Sequence, residues 1–285
     1  VRVTVGGRLY SDEGITGLSG KGVGFSVATA TPGFFSATTD AAGKWTVGGV
    51  VVAGGQLSAG VPIFAWVDGD AGTRAARVSK ASTTSAFLDF DLYQNRVIVH
   101  HQGTSATTTR IADLALYDMD DDPDIRYKAN GGALDVSPGM ELYVATGTEF
   151  KPGGNVTLHG NQSVSVHEGT LRLPTQATSS IFTLEANTLT MAGSWMASSS
   201  SRFNRGTGTV TFNSTSTQQR FVVPTTSAGE FYNMTFNGSG GSWTFGSNNA
   251  TATNNFTISA GTVTAPSTTL YIGNNYSNSG TFTAN

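Results

Sequence analysis

The chain has 285 residues, a formal net charge of −3, only 12% charged residues and no cysteine. This charge balance gives no electrostatic basis for nucleic-acid binding, because phosphate recognition needs clustered Lys and Arg side chains. The lack of cysteine excludes disulfide bonds, and a chain of this length accommodates two domains. The most apolar stretch, residues 48–67, is interrupted by glycine, glutamine and proline, so we expect no membrane-spanning segment.

Residues 1–92 carry short alternating segments separated by turn residues. These segments recur about every 8–12 residues, a spacing typical of antiparallel β-sandwiches. We expect strands at residues 1–5, 23–27, 34–37 and 44–47, around Leu57, and at residues 63–67, 75–78 and 86–92. Trp45 and Trp66 are the expected core anchors. The sequence therefore predicts an N-terminal antiparallel β-sandwich, of the immunoglobulin-like type, over residues 1–92.

Three segments of this region carry a more specific pattern. They are Gly7-Arg-Leu-Tyr-Ser-Asp-Glu-Gly14, Leu18-Ser-Gly-Lys-Gly-Val23 and Thr38-Thr-Asp-Ala-Ala-Gly-Lys-Trp-Thr-Val47. The third combines an Asp-capped turn with a glycine suited to positive φ. Together the segments resemble the carboxypeptidase-regulatory-like, or transthyretin-like, β-sandwich. This resemblance implies a structural spacer or a carbohydrate-facing accessory module of a secreted protein.

Residues 93–130 form an acidic connector, or cap, before the next region, and they hold the main charge cluster of the chain. Its aspartates are Asp118, Asp120, Asp121, Asp122 and Asp124. Oxygen ligands at nearly alternate positions of a loop suit Ca²⁺, so we predict a calcium site here. The run departs from an EF-hand loop, since Pro123 stands in place of the turn glycine and Ala129 in place of the bidentate glutamate. The alternative is a solvated acidic loop neutralised by Arg126 and Lys128.

Two other groups of side chains are weaker candidates for metal binding. Asp68-Gly-Asp70 is an acidic pair that we interpret as a two-residue hairpin turn. The four histidines show no spacing typical of zinc ligands, so we predict no zinc site; they are His100, His101, His159 and His167.

From about residue 131 onward, the sequence consists of three- or four-residue segments in the order apolar, polar, apolar, separated by Gly, Ser, Thr and Asn. Each segment is a short strand that could be stable only when stacked on neighbours. The similar segments at Leu189 and Leu270 lie 81 positions apart, with strands at intervals of 6 to 13 positions between them. This pattern fits coils of about 20 residues in a parallel β-helix, or β-solenoid, over residues 131–285. The alternative is a second β-sandwich.

The acidic residues of this repeat region are few and spread along the chain. Glycoside hydrolysis needs a pair of carboxylates, and lyase chemistry needs a base and a bound cation. We therefore expect no enzymatic activity. The aromatic residues are interpreted as a stacked core, with a sugar-stacking platform as the alternative. They are Trp195, Phe203, Phe212, Phe221, Phe231, Phe236, Trp243, Phe245, Phe256, Tyr276 and Phe282.

Five longer segments are distinctive: LYQNRVIV (residues 92–99), DMDDDPDI (118–125), GTEFKPGGNVTL (147–158), FYNMTFNGSGGSWTF (231–245) and NYSNSGTFTAN (275–285). Together they resemble segments of the very large repeat-rich surface proteins of environmental bacteria. Proteins of this kind pair a sandwich module with a β-solenoid. The resemblance implies an extracellular, cell-surface location and brings no established activity.

The ends of the chain lead to an assembly hypothesis. The chain begins at Val1 without a signal peptide and ends at Asn285 inside the repeat pattern, so we expect a processed product or a fragment of a longer protein. An open solenoid end presents unpaired strand edges. We expect this end to be covered by further repeats or by the next subunit of a fibre. The predicted interface residues are Tyr276, Phe282, Val1, Val3 and Val5.

We therefore predict an extracellular structural protein of the bacterial surface. It would be a self-assembling filament or matrix subunit, or a stalk segment of a larger surface protein, with calcium as its only expected cofactor. Its expected partners are further copies or repeats of itself, and surface polysaccharide under the alternative. That alternative is a carbohydrate-binding adhesin, ahead of a polysaccharide-degrading β-helix enzyme. We expect neither nucleic-acid binding nor membrane insertion.

Overall fold

The computed structural model describes residues 2–28, 34–51, 59–82, 86–102, 108–160, 169–174, 180–217, 219–222 and 229–285. Within these residues the protein is all-β, and its C-terminal part is a β-solenoid of about eight turns, as the segment pattern predicted. The only helix in these ranges is α1 (Ile111–Leu114), a single turn. None of the described residues forms a helix with the length and hydrophobicity needed to cross a membrane.

In the described ranges, nine strands precede α1, and their positions follow the predicted segments closely. They are β1 (Arg2–Tyr10), β2 (Gly22–Val27), β3 (Phe35–Thr38), β4 (Lys44–Val51), β5 (Pro62–Asp68), β6 (Ala76–Lys80), β7 (Ala86–Phe87), β8 (Leu92–Tyr93) and β9 (Arg96–His101). The strand predicted around Leu57 lies outside the described residues.

Nineteen further strands follow α1 in the described part of the chain. They are β10 (Tyr127–Asn130), β11 (Ala133–Val136), β12 (Glu141–Val144), β13 (Glu149–Phe150), β14 (Val156–Leu158), β15 (Leu171–Leu173), β16 (Ile181–Thr183), β17 (Thr188–Met191), β18 (Trp195–Ala197), β19 (Arg202–Asn204), β20 (Thr209–Phe212), β21 (Gln219–Val222), β22 (Glu230–Phe231), β23 (Asn233–Phe245), β24 (Ala250–Ala252), β25 (Phe256–Thr264), β26 (Leu270–Ile272), β27 (Tyr276–Asn278) and β28 (Thr281–Thr283).

The N-terminal strands pair in both directions. β1 with β4, β2 with β3, β2 with β5, and β5 with β6 are antiparallel. β1 with β7, β1 with β8, and β6 with β9 are parallel. The purely antiparallel arrangement predicted for residues 1–92 is therefore wrong. The physical reason is that β1 receives two returning segments on its second edge, and each runs in the same direction as β1.

The sheet containing β5 and β6 serves two cores. Its residues on one side, such as Ile63 and Ala65, join a buried cluster that includes Trp45. Its residues on the other side, Phe64 and Trp66, join the cluster that continues through the solenoid. Trp45 and Trp66 are 1% and 0% exposed, which confirms both as core residues.

Three faces make up the solenoid, each built from parallel strands of successive turns. Face 1 contains β11, β14, β17, β20, the first halves of β23 and β25, and β27. Face 2 contains β9, β12, β15, β18, β21, the second halves of β23 and β25, and β28. Face 3 contains β13, β16 and β19, followed by β22, β24 and β26. Phe256 pairs with Tyr276, so this turn spans 20 residues, as predicted.

Alternation of side chains builds the interior of the solenoid. Along face 1, the inward residues Leu189, Val210, Met234 and Phe256 are 0–1% exposed, and each lies over its partner in the next turn. Of the aromatic residues predicted to form a core, all but Tyr276 and Phe282 are buried. The stacked-core interpretation is confirmed for these residues, and it removes their rings from any sugar-binding surface.

A glycine pair lets β23 pass from face 1 to face 2 without a break. A Cβ at Gly238 would lie 1.7 Å from the carbonyl oxygen of Ser214, and a Cβ at Gly241 would lie 2.1 Å from the same atom. No side chain fits at these distances. Glycine is therefore required where the turns approach most closely at this corner.

The N-terminal sheet and the solenoid are hydrogen-bonded to each other. β6 pairs with β9 over residues 76–80 and 97–101, and β9 pairs with β12 over residues 96–99 and 141–144. One series of paired strands thus runs from β3 through β2, β5, β6, β9 and β12 to β28. The connector of residues 93–130 supplies one of these strands.

Candidate functional site

The acidic loop, residues 115–126, follows α1. It lies against the side of the N-terminal sheet that carries Phe64 and Trp66. The Tyr117 ring lies 5.1 Å from Trp66 and 5.7 Å from Phe64, so the loop begins on a fixed apolar surface. It ends in an antiparallel hairpin of β10 and β11, which turns at Gly131 and Gly132 with φ of 58° and 78°. Positive φ at both central positions is the geometry of a tight hairpin turn.

Three of the five predicted calcium ligands have other roles. Asp118 is 5% exposed, and its carboxylate accepts hydrogen bonds from the backbone N–H groups of Asp120 and Ala129 at 2.8 and 2.7 Å. The Asp121 carboxylate accepts one from the Asp118 N–H at 3.0 Å. Asp120 is exposed and pairs with Lys128 at 2.7 Å. These side chains close the loop instead of converging on one point.

The other two predicted ligands meet a residue from a distant strand. Oxygen atoms of Asp68, Asp122 and Asp124 all lie within 4.8 Å of one another, and we call this group the junction cluster. It is the only such group of three metal-binding side chains among the described residues. Asp68 stands at the end of β5, and the Gly69 N–H donates to Asp124 Oδ2 at 2.7 Å. That bond ties the loop after β5 to the acidic loop.

Asp68 belongs to the Asp68-Gly-Asp70 segment, whose sequence predicts a two-residue hairpin turn. β5 and β6 pair only up to Trp66 and Ala76, so the connection is much longer than two residues, and that interpretation is wrong. Asp70 does have a turn role, because its carboxylate accepts from the N–H groups of Gly72 and Thr73 at 2.8 Å. Lys21 also pairs with Asp70, at 2.6 Å.

Electrostatic repulsion marks the junction cluster as a place where a cation would be favourable. Partial burial, followed by the charges of Asp122 and Asp124, raises the pKa of the Asp68 carboxyl above its ordinary value. A divalent cation among three carboxylates would remove this repulsion. Ca²⁺ takes six to eight oxygen ligands, so the cluster would supply part of its shell and water or backbone carbonyls the rest.

Removing one carboxylate from the junction cluster should stabilise the calcium-free protein and reduce the stabilisation by calcium. In EDTA at neutral pH, Asp68→Asn is expected to raise the thermal midpoint, because the amide carries no repelled charge. Since the pKa of Asp68 is raised in the folded protein, the carboxylate weakens folding above its ordinary pKa of 3.8, so the gain should vanish as pH falls toward that value. With excess Ca²⁺, calorimetry should show a larger upward shift for the parent chain than for the variant.

Asp120→Asn provides the matched control for this experiment. Asp120 belongs to the same loop but lies outside the junction cluster, paired with Lys128. This variant should keep the calcium response of the parent chain. Equal calcium shifts in the parent chain and in Asp68→Asn, or no shift in the parent chain, would contradict a calcium site at this position.

A second charge cluster joins the N-terminal strands to face 2, and the sequence analysis did not predict it. Arg96 is 3% exposed and Glu141 is 1% exposed, and Arg96 Nε lies 3.1 Å from Glu141 Oε1. Arg96 Nη2 also donates to Glu13 Oε1 at 3.0 Å, and Arg172 pairs with the same Glu13 oxygen. We call these four residues the latch cluster.

The latch cluster is balanced in charge and enclosed by aromatic rings. The guanidinium carbon of Arg96 lies 5.6 Å from the ring centres of Tyr93 and Tyr143, a distance at which a cation and a ring attract. The two carboxylates face two guanidinium groups, so neither is positioned as a free general base. The arrangement fixes the segment around Glu13 to the first turns of the solenoid.

Several acidic residues of the repeat region make structural contacts. Glu149 accepts hydrogen bonds from the hydroxyls of Thr108 and Thr183 at 3.0 and 2.8 Å. Glu185 pairs with Lys151 at 2.6 Å. His167 lies outside the described residues, as does Glu168, and His159 pairs with Asp135 at 3.3 Å.

The predicted assembly residues divide into two groups. Tyr276 and Phe282, 48% and 37% exposed, lie in the last turn with their ring centres 6.0 Å apart. Val3 and Val5 are fully buried, which corrects their assignment to an interface. Their strand β1 is also paired on both edges, with β4 and with β7 and β8, so it offers no free edge. Val1 lies outside the described residues.

No protein-family model, curated protein or solved structure matches the chain.

Proposed function

We propose that this chain is an extracellular structural protein of the bacterial surface, acting as a rigid stalk segment or as a subunit of a surface filament or matrix. In this proposal residues 1–92 form a β-sandwich. Its two layers are the small sheet around β1 and the strands β2, β3, β5 and β6, whose side chains share one buried cluster.

The observation that carries the proposal is the uninterrupted series of paired strands from β3 to β28. A sheet of this kind resists bending because each strand between β3 and β28 is held by backbone hydrogen bonds on both edges. With strands about 4.8 Å apart, the eleven steps from β3 to β28 extend over roughly 50 Å. The latch cluster adds side-chain contacts across the same junction, which favours a stiff element over two hinged domains.

Calcium has a defined place in this proposal. The junction cluster joins the end of β5 to the loop that precedes the solenoid. A bound Ca²⁺ would therefore stiffen the junction that the latch cluster also stabilises. The two clusters lie on opposite sides of the sheet. We propose calcium as a structural ion and not as a catalytic one.

The last turn of the solenoid is the proposed point of further assembly. Among the described residues, β26, β27 and β28 each have a partner on one edge only. Tyr271 is 54% exposed, so it adds a third exposed ring to Tyr276 and Phe282 in this turn. Strand edges of this kind accept a further parallel strand. We propose that another solenoid turn, from further repeats or a second copy, covers this edge.

We propose no enzymatic role, because Glu149 and Glu185, two acidic residues of the solenoid, are engaged in structural hydrogen bonds and an ion pair. The carbohydrate-binding alternative has little support, because all but Tyr276 and Phe282 of the aromatic residues considered for a sugar-stacking platform are buried in the core.

Immunogold electron microscopy of intact source cells tests the proposed role. Antibodies raised against the purified chain should label the outside of unpermeabilised cells. Label that appears only after permeabilisation would overturn the surface location. Turnover of pectin, alginate or chitin oligomers by the purified chain would overturn the structural role, provided that Glu185→Gln abolishes it.

A further inference from the structure

The outer side of face 1 carries one residue type through most of the solenoid. Its central outward positions are direct Cα partners in successive turns. We call this set the threonine column: Thr157, Thr190, Thr211, Thr235, Thr257 and Ser277. The inward residues between these positions differ in size and shape, so core packing does not require the repetition.

A second column runs beside the first, two residues earlier in each strand. The companion column consists of Asn155, Thr188, Thr209, Asn233, Asn255 and Asn275. Its side chains bond to one another across turns: Asn233 Nδ2 donates to Thr209 Oγ1 at 3.2 Å, and Asn255 Nδ2 donates to Asn233 Oδ1 at 3.2 Å. Asn275 Nδ2 continues the series to Asn255 Oδ1 at 2.9 Å. These bonds fix the spacing of the turns on this face.

The hydroxyl groups of the threonine column have no such role. In the part of the chain that the structure describes, no hydrogen bond within the protein involves the side chains of Thr157, Thr190, Thr211, Thr235 or Thr257. Each is half-buried by its neighbours. A β-branched side chain in a strand has few accessible rotamers, so the free hydroxyls and the methyl groups form a restrained row.

The other two faces lack this uniformity over most of their length. At the equivalent outward positions of face 2, Arg172, Met196 and Val222 are partners in successive turns. On face 3, Ile181 is paired with Arg202. Solubility and strand stacking are therefore compatible with varied outward residues. Face 2 carries a shorter hydroxyl column in its last turns, where Thr244, Thr264 and Thr283 are partners. The longer array on face 1, which runs through six successive turns, matches a ligand that is itself periodic.

The spacing of the array fits an ordered layer of water. Adjacent parallel strands lie about 4.8 Å apart, so this is the approximate repeat of the threonine hydroxyls. Two water molecules bonded tetrahedrally to a common third, with O–H···O distances of about 2.75 Å, lie about 4.5 Å apart. The repeat of the column is therefore close to the second-neighbour distance of tetrahedral, crystalline water. We propose that face 1 is an ice-binding surface whose threonine and companion columns hold an ordered layer of water.

The chemistry of the two columns agrees with this assignment. None of their residues is charged or aromatic, whereas Asp135, the next outward position before Thr157, is charged and marks the edge of the array. Charged groups bind water more strongly than a neutral hydroxyl and would disturb a regular layer. A polysaccharide would be favoured by exposed rings on which sugars stack, and the columns provide none. The inference does not depend on the proposed stalk role.

Incorporation into growing ice, together with thermal hysteresis, tests the proposal on the purified chain. The parent chain should enter a slowly grown ice hemisphere and produce measurable hysteresis. The double variant Thr211→Tyr and Thr235→Tyr places two bulky rings in the middle of the array and should reduce both signals to those of a non-binding protein. Thr244→Tyr is the matched control, because Thr244 is exposed on face 2 of the same turn as Thr235.

The variants must first show the thermal midpoint of the parent chain, because a loss of signal is interpretable only in a folded protein. If the double variant does not fold, Thr211→Val retains the shape, removes one hydroxyl, and should lower hysteresis. Exclusion of the parent chain from ice, or equal signals from the parent chain and the double variant, would overturn the proposal. Retention of the parent chain on crystalline cellulose or chitin, lost in the double variant, would assign the face to a polysaccharide instead and would equally overturn it.

Discussion

Replacement of Glu141 with alanine is expected to lower the free energy of unfolding by about 3–5 kcal/mol, because it leaves the buried Arg96 guanidinium without its buried partner. Arg96 and Glu141 are 3% and 1% exposed, so water cannot replace the lost carboxylate at low cost. Glu13 is the remaining partner of Arg96 and is itself shared with Arg172. Urea unfolding followed by tryptophan fluorescence measures the change.

Two further variants separate the cost of an unpaired charge from the value of the ion pair. Glu13→Ala removes the more exposed carboxylate and should cost less, about 1 kcal/mol or below. The double variant Arg96→Met and Glu141→Leu removes both buried charges and should recover most of the stability lost in Glu141→Ala. A double variant as unstable as Glu141→Ala would show that the pair itself, and not charge burial, determines the effect.

Truncation of Trp195 is the second large effect, and it addresses the solenoid core. Trp195→Ala is expected to cost about 3–5 kcal/mol, because a large buried side chain is replaced by a cavity. Trp195 is fully buried, and its ring centre lies 4.8 Å from those of Phe203 and Phe231. The loss should therefore extend through its own turn to β19 and into the next turn to β22, and appear as lower protection from hydrogen exchange in these strands as well as in β18.

Trp195→Phe and Tyr271→Ala are the comparisons for this experiment. Trp195→Phe keeps an aromatic ring and removes an indole N–H that has no hydrogen-bond partner among the described residues, so it should cost less than Trp195→Ala. Tyr271 is an aromatic residue of the last turn and is 54% exposed, and Tyr271→Ala should change stability by about 0.5 kcal/mol or less. Similar losses in Trp195→Ala and Tyr271→Ala would contradict a continuous aromatic core.

The solenoid could be predicted from sequence because its determinants are local. Each apolar–polar–apolar segment specifies its own inward side chains, and the coil length follows from the interval between segments, as Phe256 and Tyr276 illustrate. The direction of pairing in the N-terminal region is not local. β1 is joined by β7 and β8, which arrive from more than 80 positions away, and alternation within a strand does not distinguish parallel from antiparallel neighbours.

The candidate sites likewise divide into features that the sequence predicts and contacts that it does not. The acidic run was visible in the sequence, yet hydrogen bonding inside the loop assigned Asp118 to a turn and left Asp122 and Asp124 to meet Asp68 from another strand. In the latch cluster, Arg96 is joined to residues 45 and 83 positions away, and the cluster had no sequence signal. The burial of Val3 and Val5 follows from β1 lying between two strands, which its own alternating sequence does not reveal.

The distance between the two ends of the long sheet tests most directly whether the N-terminal strands and the solenoid form one stiff unit. The absence of cysteine allows spin labels to be placed only at Ser36→Cys in β3 and Thr283→Cys in β28, both exposed positions. Pulsed electron paramagnetic resonance should give one narrow distance distribution, and calcium should leave its centre unchanged. A broad or two-component distribution would show a hinge between the two parts and would contradict a rigid stalk.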